Sequence, residues 1–376
     1  MSRVVFKDVV KRINVNVDRH NTERLYYVGG EHIDSCELLV TKHGLIEGST
    51  IGFKFHFGFE PGHILFMSRN PHLRKASMAT FSGICSDSTY VVETRDENVL
   101  LQKYLLLEMQ SDRFWEWAEA NKSGGVNYLI NYKTLDTYEF DLPPLAEQKV
   151  LAEKLWAAYE VKQSYLKMIA ATEEMVKSQF IEMFGDGNWP QKCLGEVGSF
   201  TRGGGFQKSD YVEHGIPCIH YGQIHTKFGP FITSHITEIS SDLESKTKFA
   251  SKGDLIIAIT SEDTEGSCKS TAWLGDYSVA VGGHAAIYKH SMNPLYMTLF
   301  FKSTLFNHAK KEYVHGTKVF EIRPDDIAKI LVPCPPMSLQ EKFSSIAKQA
   351  DKSISELRKS VDAIDKVIKS LINENL

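Results

Sequence analysis

The sequence predicts an α+β protein made of two copies of one unit. Each unit is a mixed αβ domain followed by a long helix, and the two helices pack as an antiparallel coiled coil. Three observations predict this. The run Pro143-Pro144-Leu145-Ala146-Glu147-Gln148 returns as Pro335-Pro336-Met337-Ser338-Leu339-Gln340, an offset of 192 positions that also relates Gly124 to Gly316 and Gly30 to Gly222. A constant offset over so long a span marks an internal duplication. Each proline pair opens a long stretch with apolar residues at helical spacing. Ahead of each stretch lie short β-branched and aromatic runs bounded by Gly, Pro and Asp, as strands are.

The division follows in order: a first αβ domain over 1–142, a long helix over 143–185, a second αβ domain over 186–334 and a second long helix over 335–376. In the first domain the strand-like runs are Leu25–Val28, Ile51–Phe55, Ile64–Met67 and Thr89–Val92. A helical stretch from Val99 to about Ala120 follows, stopped by Ser123-Gly124-Gly125. Pro143-Pro144 cannot sit inside a helix and imposes an extended approach. Beyond it Leu151, Leu155, Ala158, Tyr165, Ile169, Thr172 and Val176 fall at alternating four- and three-residue steps, with Lys162 interrupting. Gly185-Asp186-Gly187-Asn188-Trp189-Pro190 ends that helix as a linker.

The second domain repeats the plan. Gly253-Asp254-Leu255-Ile256-Ile257-Ala258 answers Gly62-His63-Ile64-Leu65-Phe66-Met67, Gly275 answers Gly83, and a helical stretch from Leu295 to about Glu312 answers the one after Val99. The last helix carries the cleaner stripe: Phe343, Ala347, Ala350, Ile354, Leu357, Val361, Ile364, Ile368 and Leu371 alternate by four and three throughout. That is a heptad seam, which prefers another helix as its partner. Two equivalent units related by a two-fold axis would set the helices antiparallel.

Composition bounds the function. With 42% hydrophobic residues, the 376-residue chain can bury two cores. No apolar run has the length of a membrane span and the N-terminus lacks a signal-peptide core, so a cytoplasmic protein is expected. The six cysteines are scattered with no CxxC pair, which fits reduced thiols. A net charge of −4 argues against strong autonomous binding to nucleic acid and suits a chain whose partner supplies much of the phosphate contact.

Catalytic sets are missing from the pattern. Asn293-Pro294-Leu295-Tyr296 faintly resembles the Asn-Pro-Pro-Tyr of amino-methyltransferases but lacks the second proline, and a helix start explains it. Arg202-Gly203-Gly204-Gly205 is not followed by the Gly-Lys-Ser/Thr of a phosphate loop. Asp242, Glu244 and Lys246 lack a preceding buried strand and read as solvated surface. The histidines show no metal-ligand spacing, so no metal site is expected.

Two variable αβ domains, each followed by a proline-led helix opening Pro-Pro-Leu-x-x-Gln, resemble the specificity subunit of type I restriction-modification enzymes. Residues 143–148 carry that opening, and 335–340 carry it with Met337 in the leucine's place. Met183-Phe184-Gly185, Gly215-Ile216-Pro217-Cys218-Ile219, Tyr221-Gly222-Gln223-Ile224 and Gly253-Asp254-Leu255-Ile256 add to the likeness. The first domain departs from it, with Arg24-Leu25-Tyr26-Tyr27-Val28 where the second has its Gly-x-Pro opening. The resemblance implies a non-catalytic subunit in which each domain reads half of a split sequence in double-stranded DNA and the helices set the unread spacer. It also implies two methyltransferase subunits carrying S-adenosylmethionine, and restriction subunits using ATP and magnesium, with no cofactor in this chain. The 28-residue seam spans about 42 Å at ~1.5 Å per residue, against ~34 Å for one turn of DNA.

Base reading needs Arg, Lys, Asn or Gln that reach groove edges, and phosphate contact adds Ser, Thr and Tyr. In the first domain the candidate loops carry Arg69, Asn70, Arg74, Lys75, Ser77, Lys122, Asn127 and Tyr128. In the second they carry Arg202, Lys208, Tyr221, Gln223, Lys269, Ser270 and Lys318. Two rival functions remain open at this point. A stand-alone DNA methyltransferase or nuclease with fused recognition domains would transfer methyl groups or cut without partners. A generic two-domain protein scaffold would show no specific DNA retention.

Overall fold

The computed structural model describes residues 2–375 apart from Val126, Glu265, Thr317 and Lys318. It divides into two compact units, the first made of Met1–Leu166 with Lys359–Leu376 and the second of Lys167–Arg358. The boundary therefore runs through the middle of both long helices, Leu145–Phe184 and Met337–Asn375.

In the first unit a five-stranded sheet runs in the order Val10–Ile13, Thr89–Thr94, Ile64–Met67, Ala76–Ala79, Leu39–Val40, antiparallel except for the last pair. A second sheet runs Val15–Asn16, Phe55–Phe59, Gly83–Ser86, Tyr26–Val28, Gly44–Leu45, with Gly83–Ser86 and Tyr26–Val28 parallel. The first sheet is buried on both faces, because side chains alternate along a strand. Ile64, Phe66, Tyr90 and Val92 face a core shared with helices Gln102–Gln110 and Asp112–Ala120, while Leu65 and Val91 face a smaller core containing Val28, Phe59 and Cys85 of the second sheet.

The second unit repeats this sheet by sheet. Its first sheet runs Gly198–Arg202, Ala285–His290, Leu255–Ala258, Ser270–Trp273, Phe231–Ile232, again with only the last pair parallel. Its second sheet keeps the parallel centre, Ile216–Ile219 beside Val279–Val281, flanked by Lys248–Ala250 and Thr237–Ile239. Tyr26–Val28 thus occupies the place of Ile216–Ile219 although the two sequences open differently. Only the outermost strand differs: Val15–Asn16 extends one edge in the first unit, and Tyr211–Val212 the opposite edge in the second.

The helices after the sheets keep the 192-residue offset. Gln102–Gln110 answers Pro294–Lys302, Tyr132–Leu135 answers Pro324–Ile327, and Leu145 answers Met337 as first helical residue. The single helices expected over 99–120 and 295–312 are each broken, at Ser111 and Ser303. Those hydroxyls accept from the amides of Phe114 and Phe306 and so start a new helix. The strand expected at Ile51–Phe55 begins only at Phe55, because residues 53 and 54 turn and Phe55 N donates to Gly52 O at 3.2 Å.

The duplicated proline motif has a structural reason. Gln148 is fully buried, its Nε2 donating to Pro143 O at 2.9 Å and its Oε1 accepting from Leu101 N at 3.0 Å. Gln340 repeats this with Pro335 O at 2.8 Å and Asn293 N at 2.9 Å. Each glutamine joins the carbonyl ahead of its own helix to the N-cap amide of a shorter helix, Gln102–Gln110 or Pro294–Lys302, so neither backbone group is left without a partner.

Each long helix packs into both units, and within each unit the two run antiparallel. In the first, Leu155, Trp156 and Tyr159 share a core with Ile368 and Ile372, and Lys162 Nζ lies 2.9 Å from Asp365. In the second, Phe180 and Phe343 rings meet at 5.4 Å and Glu173 pairs with Arg358 at 3.1 Å. Ile169, Val176, Phe343, Ala347, Ala350, Val361 and Ile368 are buried, while Leu151, Ala158, Tyr165, Ile354, Leu357, Ile364 and Leu371 are half-buried.

Candidate nucleic-acid interface

In each unit a hairpin loop docks onto the end of the central strand of the first sheet. In the first unit Arg69 pairs with Leu129, Ser123 pairs with Leu129, and Ile130 N donates to Ser68 O at 2.8 Å. In the second unit Thr260 pairs with Glu321, His315 pairs with Glu321, and Ile322 N donates to Ile259 O at 3.1 Å. Gly124 and Gly316 make the two turns at φ +104° and +134°, and a Cβ on Gly124 would sit 2.8 Å from Asn127 O.

Several predicted residues gather at this end of the first unit. Arg69 and Asn127 are exposed, and Tyr128 is 37% exposed. Lys122 bridges Glu119 at 2.6 Å and the Tyr128 face at 4.4 Å. Asn70 donates its amide to Tyr128 O at 2.9 Å and, like Arg74, has a left-handed backbone, so the pair bounds a tight turn. The Arg74 side chain is taken up by Asp112.

In the second unit Tyr221 is 41% exposed and its ring lies 5.2 Å from His284 and 6.0 Å from His225. Arg202 donates to Gly283 O at 2.9 Å and approaches Glu321 at 3.2 Å. Lys208 is exposed in the turn Lys208–Asp210. Lys318 lies outside the described residues. His225 follows Tyr221 by one turn of the helix Tyr221–Thr226, whereas His284 comes beside it only through the fold.

Three predicted DNA contacts are corrected. Ser77 is fully buried and donates to Glu37 O at 2.6 Å. Ser270 is 2% exposed with its hydroxyl inside the sheet. Gln223 is 3% exposed; it accepts from His220 N at 3.1 Å and donates to Thr237 at 3.0 Å, capping its own short helix. Alternation along a strand turned the serines inward, and the cap consumed the amide. Lys75 and Lys269 are tethers: Lys75 Nζ donates to Gly30 O at 2.6 Å and Lys269 Nζ to His225 O at 2.7 Å, each holding the segment after the parallel strand.

Among the described residues no group of three or more His, Cys, Asp or Glu could hold a metal ion, and no helix is long and apolar enough to cross a membrane.

The type I restriction modification DNA specificity domain matches residues 39–164. The EcoDI type I specificity subunit of Escherichia coli is 26% identical over 148 residues, 39% of this chain and 32% of that subunit, so this match spans about a third of the relative. The MjaVIII type I specificity subunit of Methanocaldococcus jannaschii is 21% identical over 314 residues, 77% of this chain and 73% of that one. Over these stretches the chain is similar to type I specificity subunits. The fold itself recurs in the S subunit of a type I restriction-modification system from M. genitalium. That structure has a TM-score of 0.55 at 14% identity and covers 99% of this chain and 94% of the other.

Proposed function

We propose that this chain is the specificity subunit, the DNA-reading and scaffolding chain, of a type I restriction-modification complex in the cytoplasm. Each unit reads one half of a two-part target through the hairpin-loop end of its first sheet, and the long helices set the unread spacer. The chain is non-catalytic: methyltransferase subunits dock on it and bring S-adenosylmethionine, and restriction subunits bring ATP- and magnesium-dependent chemistry. The observation that carries this reading is the duplication of one sheet plan with a hairpin loop docked at the same end of each unit, the first of them carrying Lys122, Asn127 and Tyr128. Two equivalent readers on one chain suit a target with two separated halves. With a net charge of −4, tight binding calls for cationic surface from the partners.

The test is selection from a pool of randomised duplexes by the complex assembled with its methyltransferase subunit. The wild-type complex should select a two-part target. Replacing 191–334 with the matching domain of a relative should change one half and leave the other. Both halves changing together, or neither, would refute independent reading, and methyl transfer by the chain alone would favour a stand-alone enzyme.

A further inference from the structure

Arg12 of the strand Val10–Ile13 stands in an aromatic cage. Its guanidinium carbon lies 4.5 Å from the centroid of the Tyr90 ring, 5.2 Å from Tyr132 and 5.4 Å from Phe57. Tyr90 and Tyr132 meet edge-on at 5.3 Å, and the Tyr90 hydroxyl donates to Ile130 O at 2.9 Å, the residue that closes the hairpin loop carrying Asn127 and Tyr128. Burial raises the Tyr90 phenol and pushes Tyr132 up to about 12, so both rings are neutral partners for a cation.

The guanidinium is held and yet unspent. Its Nε is buried without a hydrogen-bond partner, whereas neither terminal nitrogen is both buried and unpartnered. Among the described residues it forms no ion pair, while Lys11 beside it pairs with Glu93 at 3.0 Å and Arg24 pairs with Glu60 at 2.6 Å. Packing does not need a charge here. In the second unit the same sheet position is Phe200, which stacks on Tyr288 at 4.1 Å and 11°. A ring serves at this sheet position in the second unit, and in the first the arginine fork is left available to a partner outside the fold. A flexible surface cation suffices for a phosphate. A planar fork whose rotamers are fixed in advance favours a directional, two-bond acceptor.

We propose that Arg12 reads a guanine in the half-site of the first unit, its terminal nitrogens donating to O6 and N7 in the major groove. This rests on the DNA-reading function proposed above.

The experiment compares wild type, Arg12→Lys and Arg12→Phe in the assembled complex, using selection from a pool of randomised duplexes. Lysine keeps the charge and loses the fork, and phenylalanine takes the second unit's own residue. Both variants should lose at least about fivefold of the preference for guanine at one position. That position should lie in the half-site that survives replacement of 191–334, and the other half should be unchanged. Hydrogen exchange should show the first unit folded in the phenylalanine variant. Unchanged preferences at every position would overturn the proposal. So would a uniform loss over all sequences with the salt slope reduced by about 0.9, since that marks a phosphate contact. If the wild-type complex selects no two-part target, the proposed function fails instead, and the wild-type control separates the two failures.

Discussion

In the first unit a carboxylate is buried where the second has a phenyl ring. Glu108 is fully buried and accepts from the Tyr138 hydroxyl at 2.5 Å and from Arg113 at 2.8 and 2.9 Å. The residues 192 positions later are Phe300, Ile330 and Leu305, all in or against the apolar core of the second unit. The seam differs likewise. Lys162, 8% exposed, lies 2.6 Å from Glu37 and 2.9 Å from Asp365, and its counterpart is Ile354. One backbone plan therefore accepts either an apolar or a satisfied polar solution at equivalent sites. The plan fixes where a side chain goes, and the partners supplied by the rest of the unit fix which chemistry is tolerated there.

The sharpest way to break the comparison is Arg113→Met, which leaves the Glu108 carboxylate without its cation. It should destabilise the first unit by about 3 kcal/mol. Adding the second unit's solution, Glu108→Phe with Arg113→Leu and Tyr138→Ile, should recover most of that loss. Hydrogen exchange resolved by unit measures both, and a triple variant no better than Arg113→Met would show that the two cores are not interchangeable.

Acid should separate the units. Burial lowers the His290 pKa to about 4, so the folded second unit favours the neutral ring over the cation. Stability is complete above the ordinary histidine value of ~6.5 and declines as pH falls from there towards 4, by a total on the order of 3 kcal/mol. The matching position in the first unit is Thr94, paired with Val10 as His290 is with Gly198. His290→Thr should flatten that acid slope in the second unit, and an unchanged slope would assign it elsewhere.

Gln148→Ala and Gln340→Ala should cost their own units about 2 kcal/mol each, since each strands buried backbone groups. Costs differing by more than about 1 kcal/mol would break the equivalence of the two helix starts. The smallest effect is expected from Lys162→Ile, which copies the second unit's seam. Loss of the ion pairs and gain of apolar packing should leave stability within about 1 kcal/mol.

The sequence made the duplication and both long helices legible, because helix starts and heptads are local patterns and Pro143 and Pro335 leave little choice. Ile64–Met67 and Leu255–Ala258 were legible for the same reason. Sheet order was not: the parallel neighbours Tyr26–Val28 and Gly83–Ser86 are far apart in the chain. The exposure of the candidate loop residues was half legible. Arg69, Asn127, Tyr128 and Tyr221 are exposed, but residue type alone could not separate them from Ser77, Ser270 and Gln223, whose burial depends on strand facing and helix capping. Arg12 left no signal, since its cage is assembled from residues 57, 90 and 132.

The division of the long helices bears on synthesis. The first unit's core includes Ile368 and Ile372, and Asn373 donates to Asp112 at 2.8 Å and accepts from its amide at 2.9 Å. The second unit, Lys167–Arg358, contains every segment its own core needs. On the ribosome the later-encoded domain can close first, while the earlier one waits with Leu155 and Trp156 uncovered until the last helix emerges. The domain that begins first is therefore the one whose last core segment is made last, and until then Leu155 and Trp156 are the surface a nascent chain has to shield.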